Sequence, residues 1–193
     1  MDQRLPAEHP SQPHLVQLGC LLIDDSGAEW ATLELIVKPE GYVIPNRAAA
    51  VHGVTTELAR AVGVPLLIAV AAFTNLRAIA TRLVAHNMEF DDLVMRAAIH
   101  RTGRKPAHPG PGEWFCTMRA AGPIMELPPT ARMLAAGYDK WKPPNLMEAH
   151  EHFTGSKFEG AHGALSDARA CAKVYAALMK LKGEEKADAE TLA

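Results

Sequence analysis

The chain has few cysteines, no basic excess and no long apolar run, and each shortage excludes something. Its three cysteines, Cys20, Cys116 and Cys171, lie far apart in sequence. No C-x-x-C pair exists to nucleate a zinc or redox site, so they read as reduced core residues of a cytoplasmic protein. No stretch approaches the 18 or so uncharged apolar residues of a membrane span. The N-terminus, MDQRLPAEHPSQPH, lacks the apolar segment of a signal peptide. Net charge is −2, so the broad positive field that marks many nucleic-acid binders is missing. A local basic rim remains open to it, with Arg101, Arg104 and Lys105 as one cluster and Lys140, Lys142 and Lys157 scattered. There are no internal repeats. With 193 residues, 48% of them hydrophobic, the chain suits one domain with a real core.

What is present is organised around residues 161–182, AHGALSDARACAKVYAALMKLK. Leu165, Ala168, Cys171, Ala172, Tyr175, Leu178 and Met179 recur at the three/four spacing of one buried helix face. The small residues of Gly160-Ala161-His162-Gly163 permit a tight turn and close backbone approach before it. This places His162 on a leading loop and Asp167 in the first helical turn. An acid there commonly serves the helix dipole alone. A second stretch raises the functional reading: Leu83-Val84-Ala85 is a short apolar run that breaks abruptly into His86-Asn87-Met88-Glu89-Phe90-Asp91. In open α/β sheets the carboxyl ends of strands line the ligand crevice.

In order, Met1–Pro13 reads as loop. His14–Asp24 and Trp30–Lys38 read as strands of an antiparallel hairpin about the turn Asp25-Ser26-Gly27. Thr55 is a candidate N-cap, Pro65 a helix start, and Phe90–His100 a helix ended near Gly103. Glu113–Met118 reads as a short strand, residues 122–144 as short helical turns and loops, and Asn145–Phe153 as a helix. The charged segment Gly183–Ala193 reads as a frayed, disordered tail. The hairpin followed by helix–strand–helix units predicts an α/β fold, a mixed sheet flanked by helices, with one domain over residues 1–182.

Three segments together resemble the DEDDh exonuclease family, the RNase T and DnaQ-like group with a ribonuclease H-like fold. His86-Asn87-Met88-Glu89-Phe90-Asp91 is similar to its second motif, H-N-x-x-F-D. His162-Gly163-Ala164-Leu165-Ser166-Asp167 is similar to its third, H-x-x-x-x-D, and Val51-His52-Gly53-Val54-Thr55 to its I-H-G-I-T segment. The resemblance spans roughly Leu5 to Lys182. It implies a metal-dependent 3′–5′ exonuclease acting on the 3′ ends of DNA or RNA. Asp91 and Asp167 would be ligands of Mg²⁺ or Mn²⁺ and His162 the general base. Hard dications favour carboxylate oxygens, and two of them stabilise both oxygens of a phosphodiester displacement. Many relatives act as homodimers or polymerase subunits.

Some roles stay open. Asn87 reads equally as a substrate contact or as the cap of the helix that follows. His52 reads as a contact to the terminal nucleotide or as a local structural hydrogen bond, Phe90 as core rather than a base-stacking platform, and His86 as structural rather than a second base. Trp114 and Trp141 are candidate stacking residues only if exposed. His150 and His152, spaced H-x-H on a helix, point to different faces and give no zinc site.

One part of the pattern is missing. The family's first motif, Asp-x-Glu on a central strand, runs on into T-T-G-L-P. Here Leu5-Pro6 matches the end of that run, and Met1 stands where the Glu would be. Two of four carboxylates are absent, and Asp2, Asp24, Asp25 and Glu34 are not placed to replace them. The expectations are a sheet without its central strand, one weakly held ion, and doubtful activity. The alternative is a catalytically impaired relative that binds nucleic acid or acts as a scaffold. The match resuming mid-motif suggests a start assigned too far downstream or a truncated gene. An in-frame Asp-x-Glu codon run upstream of Met1 separates the two.

Overall fold

The computed structural model describes residues 5–105, 113–158 and 163–191. Strands β1 (Gln17–Ile23) and β2 (Glu29–Ile36) pair antiparallel, with Gly19 opposite Glu34 and Gln17 opposite Ile36. Their turn is built by Asp24. Its carboxylate accepts from the Ser26 and Ala28 amides at 2.9 and 3.1 Å and from the Trp30 indole at 3.0 Å. Gly27 supplies the positive φ of 85° that the turn requires.

Helices α1 (Asn46–His52), α2 (Thr56–Val62) and α3 (Leu66–Ile79) follow. Thr55 caps α2 as its sequence position predicts, its hydroxyl accepting from the Leu58 amide at 3.1 Å. Strand β3 (Leu83–Ala85) leads into α4 (Met88–Arg101) and pairs parallel with β4 (Trp114–Cys116). Then come α5 (Thr117–Met125), α6 (Ala131–Ala135), α7 (Leu146–Thr154) and α8 (Ala164–Thr191). At the start of α7 the Asn145 side chain accepts from the Glu148 amide at 2.9 Å, and Glu148 accepts from the Asn145 amide at 2.8 Å. This is a complete capping box.

The α/β class is as expected, but the sheet is divided. β1–β2 and β3–β4 form two separate two-stranded sheets. Among the described residues no strand joins β1 to β3, as expected for a sheet without a central strand. Helix α8 contacts strands of both sheets and spans them. Side chains alternate across a strand, and β1 uses both faces. Leu18 is buried among Val70, Val94 and Ala98 of α3 and α4, while the next residue, Gly19, meets the first turn of α8. The hairpin therefore lies between the α3/α4 layer and α8. A second cluster packs Val174 and Leu178 of α8 on Ala149 of α7, with Phe115 of β4 against it.

Two segments differ from their sequence reading. The stretch read as strand through Met118 turns helical at Thr117, and α5 continues through Gly122 and Pro123. Proline breaks a helix interior, and here α5 ends two residues beyond it. The charged segment after Gly183, read as a disordered tail, continues α8 as backbone helix to Thr191. Its composition of Ala, Glu and Lys has high helix propensity. No helix among the described residues is long and apolar enough to cross a membrane.

Candidate active site

Two helix starts, far apart in sequence, bring two carboxylates together. Asp91 lies in the first turn of α4 and Asp167 in the first turn of α8. The Asp91 carboxyl is raised from 3.8 to about 7, first by loss of hydration and then by the negative charge of Asp167. A helix N-terminus acts the other way, lowering a carboxyl by less than about one pH unit. Dehydration and like-charge repulsion therefore win by a wide margin. Asp91 is accessible at the surface although protein crowds its carboxyl. Water therefore reaches the residue while neighbouring protein atoms strip part of the hydration from its carboxyl.

Helix α8 is aimed by its seat on β1. A Cβ built at Gly19 would lie 2.2 Å from the carbonyl carbon of Ala164 and 2.4 Å from the nitrogen of Leu165. Only glycine permits that approach. The Asp167 amide donates to the Gly163 carbonyl at 2.9 Å, closing the first turn. Arg169 then reaches back to β2, with Nε and Nη2 each 2.8 Å from a Glu29 oxygen. One turn on from Asp167, Cys171 shares its helix face. Burial foremost, with help from the charge of Asp91, pushes the Cys171 thiol up to about 12. That thiol is buried and inert; Cys116 and Cys171 are core as read, while Cys20 is half-buried.

Below the acids lies a buried polar knot. Thr117, fully buried, joins the ends of β3 and β4 to α8. Its hydroxyl lies 2.9 Å from His86 Nδ1 and 3.6 Å from Cys171 Sγ. His86 Nε2 lies 2.9 Å from the Pro144 carbonyl, which can only accept, so Nε2 carries the proton and Nδ1 accepts from Thr117. Burial lowers the His86 pKa, and the ring is neutral and structural, as its strand-end position predicts.

The sign of its pH effect follows. A histidine whose folded pKa lies below its unfolded value contributes stability above the unfolded value near 6.5, lost as pH falls through it. Thermal melts of His86→Gln are expected to lose less stability than the parent between pH 7 and pH 5. Thr117→Val leaves Nδ1 without a donor and is expected to cost about 1–3 kcal/mol. Parallel melts that show no change for Thr117→Val would contradict this assignment.

The other predicted residues fall out as follows. His162 lies outside the described residues. Asn87 occupies the N-cap position of α4 but makes no side-chain capping bond. Its backbone is left-handed, with φ of 71°, a conformation that asparagine tolerates better than most residues. The His52 ring accepts the Val54 amide at Nδ1, 3.1 Å away, a hydrogen bond within its own turn. Phe90, read as core, is instead 41% exposed beside Asp91. The basic cluster at Arg101 does not face the acids. It ends α4, about 15 Å of helix rise from Asp91, and Arg101 donates to the Gln12 and Pro13 carbonyls at 2.6 and 2.8 Å. His150 is buried, with Nδ1 3.1 Å from the Ser156 carbonyl, and His152 packs on Phe153. Among the described residues no group of three His, Cys, Asp or Glu converges as a metal cage.

Gly19, Thr117 and Arg169 position the site without being singled out from the sequence. A glycine inside a strand is the one available signal, since it marks a bulge or a close backbone approach.

The residues present fit one divalent ion. Two neighbouring carboxylates, one holding its proton to about pH 7 through lost hydration and then the charge of the other, supply hard oxygen donors. Magnesium commonly takes one or two carboxylates and completes its shell with water and substrate phosphates.

The comparisons with known proteins bear on the family and the fold. A family model described as exonuclease, of the RNase T type, matches residues 7–175. The chain belongs to this exonuclease family, of the DEDDh 3′–5′ type. A search of curated proteins finds no match. Among solved structures, E. coli exonuclease I in complex with a dA16 oligonucleotide is similar at 20% identity and a TM-score of 0.69, covering 90% of this chain. The same enzyme with a dT13 oligonucleotide gives 20% identity, a TM-score of 0.72 and 93% coverage. A zinc-bound exonuclease I complex with single-stranded DNA gives 19% and 0.64, covering 90% of this chain. This chain spans 38%, 40% and 37% of those three proteins. The fold is thereby ribonuclease H-like.

Proposed function

We propose that this chain is a metal-dependent nuclease domain that removes nucleotides from the 3′ ends of DNA or RNA. The observation that carries the reading is the charge-coupled pair Asp91 and Asp167 at the mouths of two helices. Like-charged carboxylates raise each other's cost of ionising, and a fold keeps such a pair where a cation or proton transfer uses it. The solved relatives hold dA16 and dT13 oligonucleotides, which supports a single-stranded nucleic acid here.

In this reading Asp91 and Asp167 hold a Mg²⁺ or Mn²⁺ ion. When bound, such an ion supplies Lewis-acid stabilisation of the negative charge that develops on phosphoryl oxygens. His162, five residues before the first helical acid of α8, takes a proton from the attacking water, a role that imidazole suits near neutral pH. Asn87, at the left-handed junction of β3 and α4, and His52 are placed at the substrate. The His86–Thr117 knot holds the two helix starts in position and touches no substrate.

The second reading is a catalytically impaired relative that binds nucleic acid. It is favoured by one observation: only two acids converge among the described residues, too few to neutralise two dications. A 3′-labelled single strand with Mg²⁺ or Mn²⁺ separates the two. Slow mononucleotide release is expected from the parent, falling by about a hundredfold or more in Asp167→Ala, the scale on which removed catalytic groups act. Equal residual activity in both proteins would sink the enzyme reading.

A further inference from the structure

Four large aromatic side chains stand exposed among the described residues: Trp30, Phe90, Tyr138 and Trp141. The Trp30 indole is committed to Asp24 at the far end of the hairpin. Phe90 precedes Asp91. Tyr138 and Trp141, 67% and 49% exposed, lie on a segment whose every residue from 134 to 141 is exposed.

This segment is nonetheless anchored. The Tyr138 amide donates to the Met133 carbonyl at 2.9 Å, and the Lys142 amide to the Leu127 carbonyl at 2.9 Å. Two residues beyond Lys142, the Pro144 carbonyl holds His86, the first residue of the stretch that carries Asp91. Three residues span at most about 11 Å, so the Trp141 backbone lies within that distance of the Pro144 anchor. A single strand covers it in a few nucleotides at about 3.4 Å or more each.

The segment also carries positive charge. Arg132 and Lys140 are exposed, and neither enters a salt bridge among the described residues. Lys142, by contrast, is paired with Glu148. Exposed aromatics interleaved with cations suit unpaired bases, which offer a stacking face and a phosphate together. A duplex hides its base faces and cannot use such a platform.

We propose that Tyr138 and Trp141 are a stacking platform for unpaired bases, with Lys140 and Arg132 on the phosphates, upstream of the nucleotide held at Asp91. They make the site select single-stranded over duplex nucleic acid. The inference rests on the nucleic-acid reading above, but its test needs no hydrolysis.

The test is binding of a fluorescein-labelled dT15 strand, and of a matched duplex, in excess EDTA so that nothing is cleaved. Anisotropy and tryptophan quenching are both recorded on the full chain. The single strand is expected to quench tryptophan emission and to bind more tightly than the duplex. Trp141→Ala is expected to weaken single-strand binding about tenfold or more, the scale of one lost base stack, and Trp141→Phe to retain most of it. Trp30→Phe serves as the control and keeps the quench. Lys140→Ala is expected to lower the salt dependence, which Trp141→Ala leaves unchanged.

The three substituted side chains, Trp30, Lys140 and Trp141, are exposed, so melting temperatures are expected to match the parent. Unchanged dT15 affinity in Trp141→Ala, equal affinity for duplex, or no binding by the parent each overturns the platform. Failure of the nuclease reading shows instead as equal hydrolysis by the parent and Asp167→Ala, whatever dT15 does in EDTA.

Discussion

Gly19→Ala is expected to destabilise the chain by about 3 kcal/mol or more, the range for forcing atoms into a packed contact that cannot relax. The added methyl would meet backbone atoms of Ala164 and Leu165 at 2.2 to 2.5 Å, and backbone of a helix start has no rotamer to retreat into. Either α8 lifts from β1 or β1 bends away from α3 and α4. Lifting α8 moves Asp167, so the damage reaches the acid pair. A chain that survives the substitution is expected to lose divalent-ion binding together with its stability. Chemical denaturation of the variant and Mn²⁺ titration by electron paramagnetic resonance check both. As a comparison, Gly27→Ala meets no atom within 4 Å and suffers only from its positive φ of 85°. It is expected to cost about 1 kcal/mol.

Asp91→Asn is expected to make the protein more stable and unable to hold the ion. The Asp91 carboxyl titrates near 7 in the folded chain, against 3.8 as its ordinary value. The folded state therefore keeps a proton that the unfolded state releases, and stability falls as pH rises from about 4 to about 7. An amide removes that loss. Because Asp91 is open to solvent on one side, the full shift overstates the gain. After discounting for solvent screening, about 1 kcal/mol is expected at pH 8, or roughly 2–4 °C in melting temperature. The gain is expected to shrink through pH 4 and vanish below about pH 3, where the parent carboxyl is protonated in both states.

The same proton governs the ion. Mn²⁺ must displace it, so affinity is expected to rise with pH up to about 7 and level off above. The Asp91 effect on stability, which falls as pH rises, runs opposite to the His86 contribution, and the His86→Gln and Asp91→Asn proteins separate the two.

Much of the fold was legible because it obeys local rules. The hairpin shows in its alternation and its Asp-Ser-Gly turn, α2 in Thr55, α4 in the polar break after Ala85, and α7 in the run Asn145–Phe153. The acid pair was legible through motif resemblance, since no spacing rule relates residue 91 to residue 167. What escaped depends on contacts between distant segments. Helix α5 was hidden by Pro123, which a local rule places at a break, while packing against α7 and α8 holds the helix around it. Phe90 has the residue type of a core position, and its exposure depends on which way α4 is rolled. Gly19 looked like an ordinary member of a Leu-rich strand, and its importance lies wholly in the helix 145 residues later that rests on it. The basic cluster at Arg101 was read by charge alone, whereas its guanidinium is spent on the carbonyls of the N-terminal loop.

The central claim is that Asp91 and Asp167 face each other across one cleft. Carboxyl titration of Asp91 by ¹³C NMR tests it directly, in the parent and in Asp167→Asn. A titration near 7 in the parent, shifting toward the ordinary carboxylate range when Asp167 loses its charge, is the predicted result. An Asp91 that titrates near 4 and ignores the substitution would contradict it.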